Sequence, residues 1–139
     1  MIQLIDDQRL GTILRGDEPP AARAAVFTTG CWYARLCQAV LRASDRTGVL
    51  SGPFAALPDD ARQRAIRGLL ELPDEIGLLS LRDLGPLMGQ LRNRHDLNIL
   101  GIEALAAAVT LEADVFLSAS SPRLEAALQL EGRSVEVRT

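Results

Sequence analysis

Short apolar runs of strand length alternate along this chain with longer stretches whose apolar residues recur at helical spacing. Residues 1–5 suit a buried central strand that ends at Asp6-Asp7. Leu10, Ile13 and Leu14 share one side of a short helix over 8–15, closed by Gly16. Pro19-Pro20 bars regular structure, and 24–27 reads as a second strand. Thr28-Thr29-Gly30 turns the chain, and either threonine can cap a helix over about 31–43, where Trp32, Leu36, Ala39, Val40 and Ala43 follow helical spacing. Residues 44–58 are rich in turn formers and give no regular assignment. Asp59-Asp60 then opens an amphipathic helix with Ala61, Ala65, Ile66, Leu69 and Leu70 inward and Arg62, Arg64 and Arg67 outward, ended by Pro73.

In the second half, 76–81 reads as a buried strand. Residues 82–95 form a helix carrying Leu84, Leu87, Met88 and Leu91, with Pro86 tolerated in its first turn. Asn98 caps an Ala-rich helix that runs to about 112. A strand at 115–117, a helix at 122–130 and an edge strand at 134–137 complete the pattern. Strand, crossover helix, strand is the signature of a parallel sheet with helices packed on it. Sites in such folds lie beyond the C-terminal ends of the strands. That directs attention to Asp6, to Thr28 and Thr29, and to Ser118, Ser120 and Ser121.

Composition narrows the classes. With 139 residues, one domain over 1–139 is expected, and 47% hydrophobic residues supply its core. Only 4% are aromatic, so Leu, Ala, Val and Ile must build most of it. A net charge of −3 argues against a dedicated basic nucleic-acid binder. Every basic residue is Arg, so each cationic contact is a planar, permanently charged fork; the bias suggests a GC-rich bacterial genome. Cys31 and Cys37 fall on nearly opposite sides of one helix, which disfavours a disulfide between them. No signal peptide or spanning apolar run is evident, so a cytoplasmic address is expected.

Three segments together resemble the PIN domain, the fold of the toxin ribonucleases in VapBC-type toxin-antitoxin pairs. The first is Leu4-Ile5-Asp6-Asp7 with Leu10, and the second is Thr29-Gly30-Cys31-Trp32-Tyr33-Ala34-Arg35-Leu36. The third joins Ala104-Leu105-Ala106-Ala107-Ala108 to Ala113-Asp114-Val115-Phe116-Leu117-Ser118. The resemblance implies a three-layer α/β/α sandwich with a mainly parallel central sheet. It also implies self-association as a homodimer, a small antitoxin-like partner, and RNA as a conceivable ligand.

The family's chemistry uses acidic side chains from distant segments to hold Mg²⁺ or Mn²⁺ against a phosphodiester. By resemblance, Asp6 matches the first acidic position. The other three fall on Arg35, Gly101 and Ser120. Among neighbours, Glu103 should face away from Gly101, Asp7 should turn away from Asp6 by strand alternation, and Asn98 offers a neutral oxygen. A guanidinium roughly 5 Å from a divalent ion repels it by about 6–7 kcal/mol at an effective dielectric of about 20. The expectation is therefore that Arg35 pairs with Asp6 in place of the metal, that no cofactor is needed, and that the protein acts by binding. The alternative is a Mg²⁺- or Mn²⁺-dependent ribonuclease whose ligands come from Asp6, Asp96, Asn98 and Glu103.

Other features have plainer readings. With the strands ordered as the PIN resemblance implies, Thr28, Thr29, Ser118, Ser121 and Asn98 would share a polar rim able to receive an anion at a helix start, while capping is the default role of the serines. Cys31 sits at a helix start, where a thiolate would be favoured, but no sequence-near His or Asn supports a reactive cysteine and structural packing is the first reading. His95 follows Arg92 and Arg94 at a helix end, where a cation suits the dipole. The Arg62, Arg64 and Arg67 group is a solvated face. Trp32 and Tyr33 suit core or dimer packing.

Overall fold

The computed structural model describes residues 1–42 and 47–138. Five strands join one all-parallel sheet: β1 (Ile2–Ile5), β2 (Ala25–Thr28), β3 (Ile76–Leu78), β4 (Asp114–Leu117) and β5 (Val135–Val137), in the order β3-β2-β1-β4-β5. Seven helices are assigned among the described residues: α1 (Asp7–Leu14), α2 (Gly30–Leu41), α3 (Gly52–Ala55), α4 (Asp59–Leu70), α5 (Leu81–Leu91), α6 (Ile99–Leu111) and α7 (Pro122–Leu130). The chain is an α/β/α sandwich. No described helix is long and apolar enough to cross a membrane.

Strand alternation sorts the layers. Leu4, Val115 and Leu117 point to the face covered by α5, α6 and α7, where they meet Leu84, Leu91, Ile102, Leu105, Leu124 and Leu128. Ile5, Phe116 and Ile76 point to the opposite face, against Leu10 of α1, Leu36 of α2, Phe54 of α3 and Leu69 of α4. Helix α2 serves both layers, because Trp32 belongs to the first cluster and Leu36 to the second. It therefore bridges the top of the sheet, where a site can form.

Two polar details hold this frame. Gln3, fully buried in β1, donates from Nε2 to the carbonyls of Ala21 (2.6 Å) and Ala24 (3.0 Å) and accepts from the Ala21 N–H at 2.9 Å. It satisfies the loop feeding β2, which would otherwise bury unpaired backbone groups. Tyr33 of α2 donates its hydroxyl to the Leu69 carbonyl at 2.6 Å and so ties α2 to the end of α4.

Boundaries differ from expectation in three informative places. β3 stops at Leu78 because Ser80 caps α5, accepting from the Arg82 N–H at 3.0 Å. Helix α5 thus starts at Leu81 and Pro86 lies in its second turn, not its first; the prolyl ring leaves the exposed Arg82 carbonyl without its helical donor. The unassigned stretch 44–58 contains the one-turn helix α3, which buries Phe54. Ala43, expected in α2, and Ser44, the first residue of that stretch, lie outside the described residues.

Candidate functional site

A cavity of about 320 Å³ opens at the C-terminal ends of β1 and β4. Asp6, Asp7 and Gln8 line it from the β1–α1 junction, and Trp32 and Arg35 from α2. Asn98, Leu100 and Gly101 contribute from the start of α6, and Ala119, Ser120 and Ser121 from the turn after β4. The topology thus brings Asp6, Arg35, Gly101 and Ser120 to one hollow from four separate segments. Leu50, Leu117 and Leu124 give it apolar walls.

Asp6 is already committed. Its Oδ1 accepts from the Arg9 N–H at 2.9 Å, capping α1, and from the Ser118 hydroxyl at 2.9 Å. Its Oδ2 accepts from the Ser118 N–H at 2.7 Å. These bonds lock β1, α1 and β4 together, and few lone pairs of this buried carboxylate remain for a ligand.

Arg35 pairs with Asp7, not with Asp6, at 3.4 Å. The expected side for Asp7 was wrong because alternation ends one residue earlier. Asp6 is the extended N-cap and Asp7 the first residue of α1, so both carboxylates line the same cavity. Asp7 Oδ1 accepts from the Gln8 N–H at 2.8 Å, while its buried Oδ2 has no hydrogen-bond donor. Burial pushes the Asp7 carboxyl above its ordinary range against the pull of Arg35, and neighbouring Asp6 adds to the rise. Asp7 is the residue sequence reasoning misplaced. The signal lies in the Asp-Asp pair ahead of Leu10, whose second member falls in the first turn once the first is taken as the cap.

Gly101 and Ser120 are the positions on which, by resemblance, two of the family's acidic residues fall. The Gly101 N–H donates to Asn98 Oδ1 at 2.9 Å, so Asn98 caps α6 as expected. A Cβ on Gly101 would lie 3.3 Å from that same Oδ1 and 3.3 Å from Leu97 Cβ. The local packing therefore favours glycine there. Ser120 Oγ donates to Glu125 Oε2 at 3.0 Å, and the Ser121 N–H donates to the same oxygen at 2.7 Å.

Those bonds correct two further expectations. Helix α7 is capped by Glu125 reaching back, not by a serine side chain. A rim for anions is also disfavoured, since Glu125 occupies the start of α7 and Asp6 and Asp7 face the same cavity. Thr28, Thr29 and Ser118 do not line the hollow at all. Thr28 donates to the Ile5 carbonyl at 2.8 Å, Thr29 caps α2 by accepting from the Trp32 N–H at 3.1 Å, and Ser118 serves Asp6.

The remaining candidates lie elsewhere. Glu103 is fully buried behind the start of α2, where Oε1 accepts from the Cys31 N–H at 2.9 Å and Oε2 has no hydrogen-bond donor. Burial together with this carboxylate pushes the Cys31 thiol up to about 11, so the helix start does not yield a thiolate. Cys31 and Cys37 are both free. Asp96 is exposed and lies 3.6 Å from Arg123, beside a different hollow. His95 Nε2 meets Glu131 Oε2 at 2.8 Å, and Arg94 holds the other oxygen of Glu131 at 3.0 Å. That carboxyl is drawn below its ordinary range by His95 and then by Arg94. Among the described residues, no three His, Cys, Asp or Glu side chains are placed to share one metal ion. A hard divalent cation wants several oxygen ligands, most of them charged, and the cavity's two carboxylates are bound to Ser118 and paired with Arg35. The donor set does not fit such an ion.

No family model matches this chain, and no curated protein matches it.

Proposed function

We propose that the chain is a PIN-like domain whose cation site has been dismantled, and that it acts by binding a protein partner, not by cleaving RNA. One observation carries this reading. The four positions that correspond by resemblance to the family's acidic set, Asp6, Arg35, Gly101 and Ser120, line a single cavity at the C-terminal ends of the central strands. Convergence of those positions from four distant segments supports the family likeness. Their chemistry supports loss of the metal: one carboxylate tied to Ser118, one guanidinium, one glycine and one serine bound to Glu125.

The ribonuclease alternative draws on Asp6, Asp96, Asn98 and Glu103. Asp6 and Asn98 do share the cavity, but Asp96 opens onto another hollow and Glu103 is sealed against Cys31. Two-metal or one-metal hydrolysis needs charged oxygens around the ion at the reacting phosphate, and this set cannot converge without rebuilding α6.

The test is incubation of the purified chain with a mixed RNA pool at millimolar Mg²⁺ or Mn²⁺. The expected outcome is cleavage no faster in the parent than in Asp6→Ala. Cleavage that disappears with chelator and with Asp6→Ala would establish the nuclease instead.

A further inference from the structure

An apolar groove of about 460 Å³ runs between α5 and α6, on the outside of the layer away from α1 and α4. Its floor is Met88 and Ile102, and its walls include Leu81 and Ile99, which are 52% and 62% exposed. Two glycines one turn apart, Gly85 and Gly89, open it along α5. Beyond its chain neighbours and the backbone of its own helix, neither has a described atom within 4 Å of where a Cβ would sit. Nothing inside the molecule requires glycine at these positions, and mid-helix glycine is unfavourable. Their effect is to let another backbone approach α5 closely.

Charge selects among occupants. Arg92 lines the groove, and Arg82 lies about 60° around α5 from Gly85 at ~100° per residue. Neither is among the ion pairs of the described residues; Arg92 donates to the Leu97 carbonyl. Asp83, the acidic residue of α5, lies about 160° from Gly85 and faces elsewhere. Arg92 is thus the charged residue in the groove's lining, and Arg82 is the nearest further charge along this side of α5. A second copy packed antiparallel would set Arg82 against Arg92 of its mate, like charge on like charge.

We infer that this groove receives an amphipathic helix of another protein, with apolar residues on one face and acidic residues flanking them. The occupant's apolar side chains fill the trough over Gly85 and Gly89 while its carboxylates meet Arg82 and Arg92. This rests on the reading of the chain as a binding protein. Chelator-sensitive RNA cleavage would remove that reading without touching the groove, and a failed groove test would leave the cleavage result unchanged.

The test uses the full chain and a displayed library of 18-residue helical peptides. Apolar residues are fixed along one face, and flanking positions are open to Glu, Lys or Ser. Selected peptides are expected to favour Glu over Lys and to bind Gly85→Leu/Gly89→Leu at least tenfold more weakly. Arg82→Glu should reverse the charge preference. Both changes lie on exposed helix, so melting temperatures should not fall. The inference fails if no peptide is retained, if Lys is favoured, or if the filled groove binds equally well. It also fails if sedimentation shows the parent, but not the filled variant, dimerising at micromolar concentration, which would make the occupant a second copy.

Discussion

Asp7 is held in an electrostatic conflict, buried beside Asp6 and opposed by the half-exposed Arg35 and the Gln8 N–H. Its folded pKa is raised, so the stability it contributes is full below the unfolded value of 3.8 and is lost as pH rises through the folded value. At neutral pH the charged carboxylate therefore weakens the fold. Asp7→Asn should melt higher than the parent at about pH 7, with the gap narrowing as pH falls through the raised folded value and closed by about pH 4. Glu131 has the opposite sign: held down by His95 and Arg94, it stabilises above its unfolded value of 4.5 and stops doing so as pH falls. Paired melting curves across the acid range check both signs. A parent that melts above Asp7→Asn at neutral pH would mean that Arg35 outweighs burial.

At the scale of elements, the tightest constraint lies between β2 and β3. Gly77 faces Phe27 in register, and a Cβ there would stand 2.4 Å from the Phe27 ring. To clear that distance the Phe27 ring, packed against the cluster of Leu4 and Leu84, must swing aside or the two strands must part. Gly77→Ala is expected to cost about 1–3 kcal/mol, read as a lower urea midpoint at unchanged slope. Phe27→Leu should recover part of it. A neutral Gly77→Ala would show that the Phe27 ring swings aside, or that β3 moves, at little cost.

Elements were legible wherever one local rule acted alone. Helix α7 spans the expected residues because Pro122 opens it and Gly132 follows it, and Asn98 caps α6 as its position ahead of the Ala-rich run suggested. The site was less legible because it depends on pairings across the sheet. Asp6 could be singled out at a strand end, but its bonds to Ser118 join residues far apart in sequence. Arg35 was recognised as a cation near the carboxylates, yet its partner depended on where strand alternation gives way to helix. Glu125, which closes the start of α7, left no trace beyond an acid three residues into that helix.

For the whole molecule, the order β3-β2-β1-β4-β5 is what turns scattered residues into a site. The central strand β1 delivers Asp6 and Asp7 between β2 and β4, α2 crosses above them with Arg35, and α6 adds Asn98 and Gly101. The scaffold would serve a metal if four carboxylates met there. With Arg35, Gly101 and Ser120 in three of those places, the cavity's charge is largely consumed within the chain. The same sandwich presents its open apolar groove on the other side of α6, lined by Ile99 and Ile102 where the cavity takes Leu100 and Gly101. Titration calorimetry with Mn²⁺ tests the central claim most directly, using the parent and Asp6→Asn. The expected result is the same weak heat of dilution for both proteins. Micromolar binding by the parent that vanishes in Asp6→Asn would contradict it.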